Sequence, residues 1–463
     1  MYARMSLCAA LVAAFSLNAG AESPDGKTIV LEANDQPSID VPVSLPFDGT
    51  IGDGEVIRVI EPKTGKEFPG TLRNGQFTFV PEGARPKSEH LYTVKVRKDD
   101  VPPRVQITQN EAGNALDVVI DDVPFTTYHY KKDERKPYLW PVLSDGAVGV
   151  TRDYPMGEAL MTSDHPHQRS FWSSYGDVNG ADCWDERNEK AGYQVTDELT
   201  YGSGDGYGWI HAKNTWMSAD RTPVCKEERE YRFYPGKKTA RLVDLEVTFR
   251  PIDTDVRFGD TKEGGIAAFR VNDQIIERET YSVVDTGSNA VLKMFDDRKE
   301  ADAFAQEQAE SRKVVVRPKG VITNAEGKTG MAECWGKPSP WCDYSGTIDG
   351  QGVHGITVFD NPNNLRYPTT WHVRDYGLMG ANCFGLSYFT NKEKNGDYTI
   401  KVGESLTFNY RVYVHRGDAN GAKVADRYAD YVNPPKVSWS DIRINSKGVD
   451  AHKDIPGHEK AAQ

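Results

Sequence analysis

Hydrophobic and polar positions alternate in short runs near the start of the chain. Within residues 22–103, runs such as "TIVLEA", "EVIRVIE" and "HLYTVKVR" are separated by segments such as "FDGTIGDGE". A period of two is typical of half-buried strands, and Gly, Asp and Pro clusters mark the turns between them. We therefore predict a small N-terminal β-sandwich module that ends at the linker-like segment "KDDVPPR", residues 98–104.

The same pattern continues from residue 104 to 435, in runs such as "TARLVDLEVTFRP", "HGITVFD" and "ESLTFNYRVYVHRG". Only "DDRKEADAFAQEQAESRK", residues 296–313, predicts a helix, and its polar face suggests a surface position. A long series of strands without helical crossovers predicts a large antiparallel β-supersandwich. Residues 436–463 are polar and are expected to form a loosely attached C-terminal tail.

The first 21 residues have the features of a secretory signal peptide. Arg4 supplies a positive charge, the run from Leu7 to Phe15 is apolar, and Ala19-Gly20-Ala21 offers a small-residue cleavage site. The apolar run is too short to anchor the protein in a bilayer, and no later run approaches membrane-spanning length. We expect an exported protein, periplasmic or extracellular, without a membrane span.

Charge and cysteine content restrict the classes of ligand. The net charge is −12, and no basic stripe with interleaved aromatic residues is present, so we expect no nucleic-acid partner. Five cysteines follow the predicted signal peptide, but no CxxC pair occurs, which removes the usual zinc spacing. We expect no metal in the site and no cofactor, with a structural calcium ion as the one compatible exception. The sequence sets no oligomeric state.

Side chains suited to sugar binding are concentrated in four segments, residues 136–184, 258–271, 333–346 and 353–385. Tryptophan, histidine, arginine and aspartate recur in them, and sugars need apolar platforms beside hydrogen-bonding groups. Core packing is the alternative reading for about half of the tryptophans. We therefore predict a carbohydrate as the ligand.

Three pairs within these segments leave alternatives open. His165 and His167 lie two positions apart and share a face if the segment is extended, which fits a metal or a catalytic histidine beside a structural one. The adjacent Lys262 and Glu263 fit a solvated charge pair as well as a site. His372 and Arg374 share a strand face, with Asp375 turned away, which fits a buried salt bridge as well as a substrate clamp.

Five motifs in order resemble a bacterial PmoA-like family of unknown function: "PYLWPVLSDGAVGVTRDYP", "DHPHQRSFWSSYGDVNGADCW", "GDTKEGG", "PWCDYSG" and "WHVRDYGLMGANCFG". The resemblance covers most of residues 120–415. The family's name refers to methane monooxygenase, but its strand pattern looks like the galactose-mutarotase supersandwich. That fold implies a concave sugar-binding face lined by His, Arg, Trp and acidic residues.

The chain departs from the family pattern at three positions. Gln168 stands where relatives usually have a histidine, which argues against a metal. Cys183 and Cys383 replace an aromatic residue and a proline, and from these two departures we predict a disulfide between them. The alternatives are a Cys334–Cys342 bond, or Cys225 as the partner of any of these.

We predict an exported carbohydrate-active enzyme that cleaves a glycosidic linkage by hydrolysis, with His167 as the proton-transfer residue and Arg169 lowering its pKa. His165 is expected to be structural. The candidate catalytic residues are His167, Glu263, Asp343 and His354. The candidate substrate-binding residues are Arg169, Trp172, Asn179, Asp182, Trp184, Lys262, Arg270, Trp335, Trp341, His372, Arg374 and Tyr376.

Three other functions fit the same residues. A lyase would eliminate across a uronate linkage with His, Lys, Arg or Tyr. A mutarotase or epimerase is a third enzyme class, less favoured because we expect export and find no sugar-phosphate context. A non-catalytic carbohydrate-binding protein would keep the aromatic platforms but would not need the dense acids and histidines.

Overall fold

The structure is a computed structural model that describes residues 23–440, except 36, 37, 39, 48, 84, 85, 279, 280, 289, 290 and 296. The predicted signal peptide and residues 441–463 lie outside the described residues. Strands hold 47% of the chain and helices 8%, and the sheets are antiparallel. The predicted all-β sandwich class is confirmed.

The strands and helices follow in chain order. The strands are β1 (Thr28–Glu32), β2 (Val43–Pro46), β3 (Glu55–Ile60), β4 (Glu67–Arg73), β5 (Gln76–Phe79), β6 (Glu89–Lys98), β7 (Val105–Gln109), β8 (Ala115–Ile120), β9 (Val123–His129), β10 (Tyr138–Ser144), β11 (Val148–Gly149), β12 (Phe171–Tyr175), β13 (Tyr193–Gly202), β14 (Gly208–Met217), β15 (Pro223–Tyr234), β16 (Ala240–Pro251), β17 (Val256–Phe258), β18 (Gly264–Arg270), β19 (Tyr281–Asp285), β20 (Val291–Phe295), β21 (Val314–Pro318), β22 (Gly320–Asn324), β23 (Trp341–Ile348), β24 (Gly352–Asp360), β25 (Trp371–Val373), β26 (Leu378–Ala381), β27 (Tyr398–Ile400), β28 (Leu406–Arg416) and β29 (Lys436–Ser440). The α-helices are α1 (Arg298–Gln308), α2 (Met331–Cys334), α3 (Leu386–Phe389) and α4 (Val424–Val432), and short 3₁₀ turns lie at Asp145–Ala147 and Asp273–Ile275.

The N-terminal module is one seven-stranded sheet in the order β2-β5-β4-β3-β6-β1-β29. Its last strand belongs to the predicted tail, whose residues 436–440 pair with β1 and are therefore not loosely attached. Trp439 on β29 donates its indole N–H to the Pro46 carbonyl at 2.7 Å and packs on Phe47, 5.6 Å between ring centroids. The two edges of the sheet thus meet, and the sheet curls around its own apolar core.

The rest of the chain is a sandwich of two large sheets. The nine-stranded sheet has the order β25-β26-β18-β12-β10-β9-β8-β7, with β11 beside β10, and the eight-stranded sheet has the order β13-β14-β15-β16-β28-β24-β23-β22. Phe171 of the first sheet stacks on Phe269 at 4.1 Å and meets Tyr231 of the second at 5.7 Å. These aromatic contacts lie in one apolar core shared by both sheets.

The smaller elements flank this sandwich. β17 and β27 form a two-stranded ribbon, and β19, β20 and β21 form a three-stranded sheet. Helix α1 confirms the helix predicted within residues 296–313; Asp297 caps its N-terminus by accepting the backbone N–H groups of Lys299 and Glu300. Within the described residues, no helix is long and apolar enough to cross a membrane.

The alternation of side chains decides which residues reach the outer face of the nine-stranded sheet, the face opposite the shared core. On β12, Phe171 points into the core and Trp172 points outward. On β25, Trp371 and Val373 point into the core, so His372 between them points outward. Trp172 and His372, two of the residues that the sequence marks for chemistry, therefore lie on this outer face.

Candidate functional site

A cleft of about 360 Å³ opens over the outer face of the nine-stranded sheet. The connection from β11 to β12, the loop before β18 and the turn after β25 supply most of its wall, and His372 of β25 lines it from the sheet. Its lining residues are His165, Lys262, Glu263, Arg278, Met331, His372, Arg374, Asp375 and Tyr376. Most of them belong to the segments that the sequence singles out.

Behind this wall, Asp164 joins two buried arginines. Its Oδ1 accepts hydrogen bonds from Arg152 and from Arg270, each at 2.7 Å, and both guanidinium groups are almost fully buried. Burial and then the charge of Arg152 lower the pKa of Arg270 to about 10. Partial burial raises the pKa of Asp164, but the charges of Arg270 and His165 and hydrogen bonds outweigh it and lower that pKa to about 2.

His165 is held at the cleft by this carboxylate and by an aromatic ring. Its Nδ1 lies 2.9 Å from Asp164 Oδ2, in a charge contact that lacks hydrogen-bond alignment. Its ring stacks on Tyr376 at 4.9 Å with 8° between the planes, and the Arg270 guanidinium lies over the same tyrosine at 4.6 Å. A backbone φ of +42° at His165 shows that the segment is not extended, so the condition under which His165 and His167 would share a face is not met.

Two carboxylates lie on the lining, Glu263 and Asp375. Glu263 forms an ion pair with its neighbour Lys262 and leaves 41% of its side chain exposed. The Asp375 carbonyl accepts hydrogen bonds from the Glu277 N–H at 2.9 Å and the Tyr344 hydroxyl at 2.9 Å, which fixes its turn. Glu263 and Asp375 are therefore the two acidic residues that line the cleft.

Under the cleft lies a polar and aromatic group that we call the floor cluster: His167, Trp172, Trp184 and His372. Trp184 is central, with ring centroids 5.3 Å from Trp172, 6.1 Å from His372 and 6.3 Å from His167. The indole nitrogens, both ring nitrogens of His372 and Nδ1 of His167 have no aligned hydrogen-bond partner in the described residues. Buried polar groups of this kind are usually satisfied by water or by a ligand.

Both histidines of the floor cluster are held neutral. Burial, followed by the charge of Lys136, lowers the pKa of His167 to about 3. Burial, followed by the charges of Arg374 and Lys262, lowers the pKa of His372 to about 3. Neutral imidazoles offer one donor and one acceptor each, so the floor can bind polar atoms without adding charge.

The loop that covers the floor cluster is organised by Asp182 and Lys136. Asp182 Oδ1 accepts the backbone N–H groups of Trp184 and Asp185, both at 2.9 Å. The buried Lys136 ammonium donates to the Trp184 carbonyl at 2.8 Å and lies 3.4 Å from Glu186. Asp182 therefore has a positioning role rather than the predicted substrate contact.

The structure brings many of the predicted residues together and separates others. The cleft and the floor cluster contain His167, Glu263, Trp172, Trp184, Lys262, His372, Arg374 and Tyr376. Arg270 lies directly behind the wall, and Trp335 lies beside Arg374, with 5.4 Å between the guanidinium carbon and the ring centroid. Arg169 lies at the edge, paired with Glu186 at 2.8 Å.

Four predicted site residues lie elsewhere. Asp343 is fully buried, 2.8 Å from His415, on the face of the eight-stranded sheet that points away from the shared core. Trp341 packs on the same side. His354 contacts the Ser144 hydroxyl at 3.0 Å at the sandwich edge, and Asn179 accepts the Arg257 N–H at 2.7 Å beside β17.

Other expectations about the site also change. β25 ends at Val373, so Asp375 lies in a turn and faces the cleft instead of turning away. The charge that lowers the His167 pKa most is Lys136, because Arg169 is taken up by Glu186 and Glu134. His165 reaches the cleft, whereas His167 is buried beneath it.

Several members of the site were not predicted: Arg152, Asp164, Arg278 and Asp375. Arg152, Asp164 and Asp375 stand in quoted motifs, so their position in a motif was the available signal, whereas Arg278 lies outside every quoted motif. The sequence does not show that Asp164 and Arg270 form a pair, because more than a hundred positions separate them.

The cysteines overturn the predicted disulfide. Five cysteines of the described residues are buried free thiols: Cys183, Cys225, Cys334, Cys342 and Cys383. Cys183 packs near Gly192, Tyr193 and Met217, and the Cys383 carbonyl instead accepts a hydrogen bond from Arg366. In the part of the chain that the structure describes, no three His, Cys, Asp or Glu side chains are grouped to hold a metal.

A family match accompanies this geometry. Residues 115–429 match the model of DUF6807, which is described as a family of unknown function. The chain belongs to this family. Its description assigns no activity, and the resemblance to PmoA-like proteins and to mutarotase sandwiches stays a prediction. The matched range contains every lining residue of the cleft.

Two solved structures from Enterococcus faecalis show distant similarity. One is a protein in glycosyl hydrolase family 38, with 11% identity and a TM-score of 0.35, covering 89% of this chain and 47% of that protein. The other is an alpha-mannosidase, with 11% identity and a TM-score of 0.36, covering 89% and 46%. This chain spans less than half of either protein, and scores this low carry no inference about function. No curated protein matches the chain.

Proposed function

We propose that this protein is an exported enzyme that cleaves a glycosidic linkage in the cleft, by hydrolysis. One observation carries the proposal: two carboxylates, Glu263 and Asp375, share one cleft with His165, which is backed by Asp164. Paired carboxyl groups beside a histidine are the groups that glycoside hydrolysis uses for proton transfer.

Hydrolysis needs a proton for the departing sugar oxygen and a group that activates water or stabilises the cationic transition state. We assign these roles to Glu263 and Asp375. His165 provides a third group for moving a proton, because an imidazole nitrogen can accept or donate one and its Nδ1 lies 2.9 Å from Asp164 Oδ2. The assignment replaces Asp343 and His354, which do not reach the cleft.

The cleft also has groups suited to holding a sugar ring. Tyr376 presents an aromatic surface whose position is fixed between His165 and Arg270. Sugar rings stack on such surfaces through their apolar faces, and their hydroxyls bond to the polar groups at the edges. Beneath, the Trp184 indole nitrogen and the His372 ring nitrogens have no aligned hydrogen-bond partner in the described residues.

A lyase is the second candidate, and a specific observation favours it. The same cleft contains the cationic Lys262, Arg278 and Arg374 beside a neutral histidine, His372. Elimination at a uronate requires cations that neutralise the carboxylate and a base that removes the adjacent carbon-bound proton. Both requirements can be met by these residues.

The test is a screen of the purified protein against neutral and acidic polysaccharides and oligosaccharides, with product masses and ultraviolet absorbance. Hydrolysis adds one water across the broken bond, whereas elimination adds none and leaves an absorbing unsaturated sugar. We expect water addition, and a loss of turnover of about a hundredfold or more in Glu263→Gln and in Asp375→Asn.

Glu198→Gln is the matched control, because Glu198 is an exposed carboxylate that pairs with Lys213 on the far sheet. It should keep wild-type turnover. Unsaturated products would establish the lyase instead. Retention of a sugar without any product, in a folded wild-type protein, would show a binding protein and contradict the proposed cleavage.

A further inference from the structure

The positive charges around the cleft differ in how they are balanced. Arg152 and Arg270 share Asp164, and Lys262 pairs with Glu263. Further out, Arg169 pairs with Glu134 and Glu186, and Lys136 lies 3.4 Å from Glu186. Arg187 forms an ion pair with Asp185. Each of these cations therefore has a carboxylate of the protein beside it.

Arg374 is the exception. Among the residues that the structure describes, its guanidinium contacts no carboxylate and donates no hydrogen bond; its contact is with the face of Trp335, 5.4 Å from guanidinium carbon to ring centroid. The sequence left a buried salt bridge and a substrate clamp as equal alternatives for this arginine. The absence of a partner in the described chain removes the salt bridge.

The position of Arg374 is nevertheless fixed. Its backbone N–H donates to the Leu378 carbonyl at 2.8 Å, and its carbonyl accepts the Gly377 N–H at 3.0 Å, which closes the turn after β25. Trp335 is itself held edge-on against Phe389 at 5.3 Å. Stacking on an aromatic face holds a guanidinium without using its N–H groups, so these donors stay available in a fixed plane.

We propose that Arg374 binds the carboxylate of an acidic sugar, so that the substrate of the proposed enzyme is a uronate-containing oligosaccharide. This inference rests on the proposed function, because the bound sugar is a substrate only if the protein cleaves it. Binding of the sugar to Arg374 can be measured separately. A planar guanidinium matches a carboxylate with two parallel hydrogen bonds. His372, two residues earlier and neutral, lies on the same cleft and adds a donor without a second fixed charge.

The negative overall charge of the protein limits where an acidic ligand can bind, which makes the cation at Arg374 more important. The chain carries a net charge of −12, and the cleft itself contains Glu263 and Asp375. An acidic ligand is therefore repelled by most of the surface and gains attraction only where an unbalanced cation lies. Arg374 supplies that cation at the wall of the cleft.

The experiment is isothermal titration calorimetry of the full-length protein carrying Asp375→Asn, which slows turnover during the titration and keeps Lys262 paired with Glu263. The probes are oligomers of galacturonate, glucuronate and mannuronate, each compared with its own carboxyl-reduced neutral derivative. We expect at least one acidic oligomer to bind about ten- to a hundredfold more tightly than its reduced form, the usual effect of one charge-assisted contact.

Substitution then tests the residue. Arg374→Gln should abolish the preference for the acidic form, and Arg374→Lys should keep part of it, because it preserves charge but not the planar fork. Arg221→Gln is the matched control, since Arg221 also stacks on an aromatic ring, Tyr193 at 4.1 Å, outside the cleft lining. It should keep the preference, and circular dichroism verifies the fold of each variant.

Several outcomes would overturn the inference: equal affinity for acidic and reduced oligomers, binding of neither, a preference for sulfated neutral sugars, or a preference that survives Arg374→Gln. Cleavage confined to neutral sugars would contradict the proposed uronate substrate but would support the proposed glycosidic cleavage. Arg374-dependent binding of a uronate by a wild-type protein that releases no product would support the inference and end the proposed enzyme activity.

Discussion

Asp164 and Arg270 are joined by a 2.7 Å hydrogen bond from the guanidinium to Oδ1, and Arg152 donates to the same oxygen at 2.7 Å. Asp164→Asn would leave two buried guanidinium groups close together without the anion between them. We expect a loss of about 3 kcal/mol in the free energy of unfolding, at the low end for a broken buried pair because water reaches Asp164. Urea denaturation measures it.

The control for this change is Asp255→Asn, which breaks an exposed pair with Lys401. It should have a much smaller effect, because exposed ion pairs are screened by water. The Asp164 pKa is lowered in the folded protein, to about 2 from 3.8, so its stabilising effect is complete above pH 4 and is lost as the pH falls toward 2. A variant as stable as the wild type would contradict the central role of Asp164.

The neutral histidines His167 and His372 predict a second pH range, at higher pH, in which the folded protein loses stability. Because the pKa values of His167 and His372 are about 3 in the fold and 6.5 ordinarily, the unfolded chain takes up protons first as the pH falls. Stability is complete above pH 6.5 and decreases toward pH 3, by up to about 1.4 kcal/mol per pH unit for each histidine.

Urea midpoints at pH 7 and pH 5 test this window. His372→Gln should lose less stability between the two pH values than the wild type does. The half-exposed His211, 3.7 Å from Glu228, provides a control, and His211→Gln should behave like the wild type. Identical pH profiles for the wild type and His372→Gln would show that His372 is not held neutral.

The two neighbouring histidines of the opening motif should have different roles. His165 lines the cleft, so His165→Ala should reduce turnover about a hundredfold while the melting temperature stays near that of the wild type. His167 is buried, so His167→Ala should mainly lower the melting temperature. The sequence predicts the reverse. Loss of turnover in a stable His167→Ala, with normal turnover in His165→Ala, would restore that assignment.

The fold was largely predictable because its signal is local. Strand β15 alternates buried positions with partly or fully exposed ones along most of its length, and this alternation is visible in the sequence. The pairing of β1 with β29 was not predictable, because residues 28–32 and 436–440 are about four hundred positions apart. Nothing in either short run specifies the other.

The candidate site was predictable only in part, for a related reason. A motif shows that His372 and Asp343 are unusual residues, but not that they lie on different sheets of the sandwich. Strand ends matter as well: Asp375 was assigned by alternation to the wrong face, because β25 stops at Val373 and Gly377 closes the turn at φ +101°.

The cysteine thiols should be unreactive in the native protein. Burial raises the pKa of the Cys183 and Cys334 thiols to about 12, and the thiolate is the form that reacts. Iodoacetamide should therefore modify none of the five described cysteines before unfolding and all of them afterwards, as measured by intact mass. Modification of only three in denaturant without reductant, and of five with it, would reinstate a disulfide such as Cys183–Cys383.

Two fully buried tryptophans should respond differently to the same substitution. The Trp216 indole donates to Glu227 at 2.6 Å, whereas the Trp184 indole has no partner in the described residues. Replacement by phenylalanine removes a similar volume in both cases, but only Trp216→Phe also breaks a hydrogen bond to a charged acceptor. That variant should lose roughly 1.5–3 kcal/mol more in the free energy of unfolding.

Trp184→Phe should show its larger effect in binding. Trp184 lies 6.1 Å from His372, which lines the cleft, so loss of its N–H should weaken affinity for the oligosaccharide found in the screen, while Trp216→Phe leaves the affinity unchanged once the protein is folded. Denaturation and calorimetry on the same two variants separate the two effects. Equal losses of stability would mean that the Trp184 N–H is already satisfied in the free protein, because a donor with no partner has no hydrogen bond to lose.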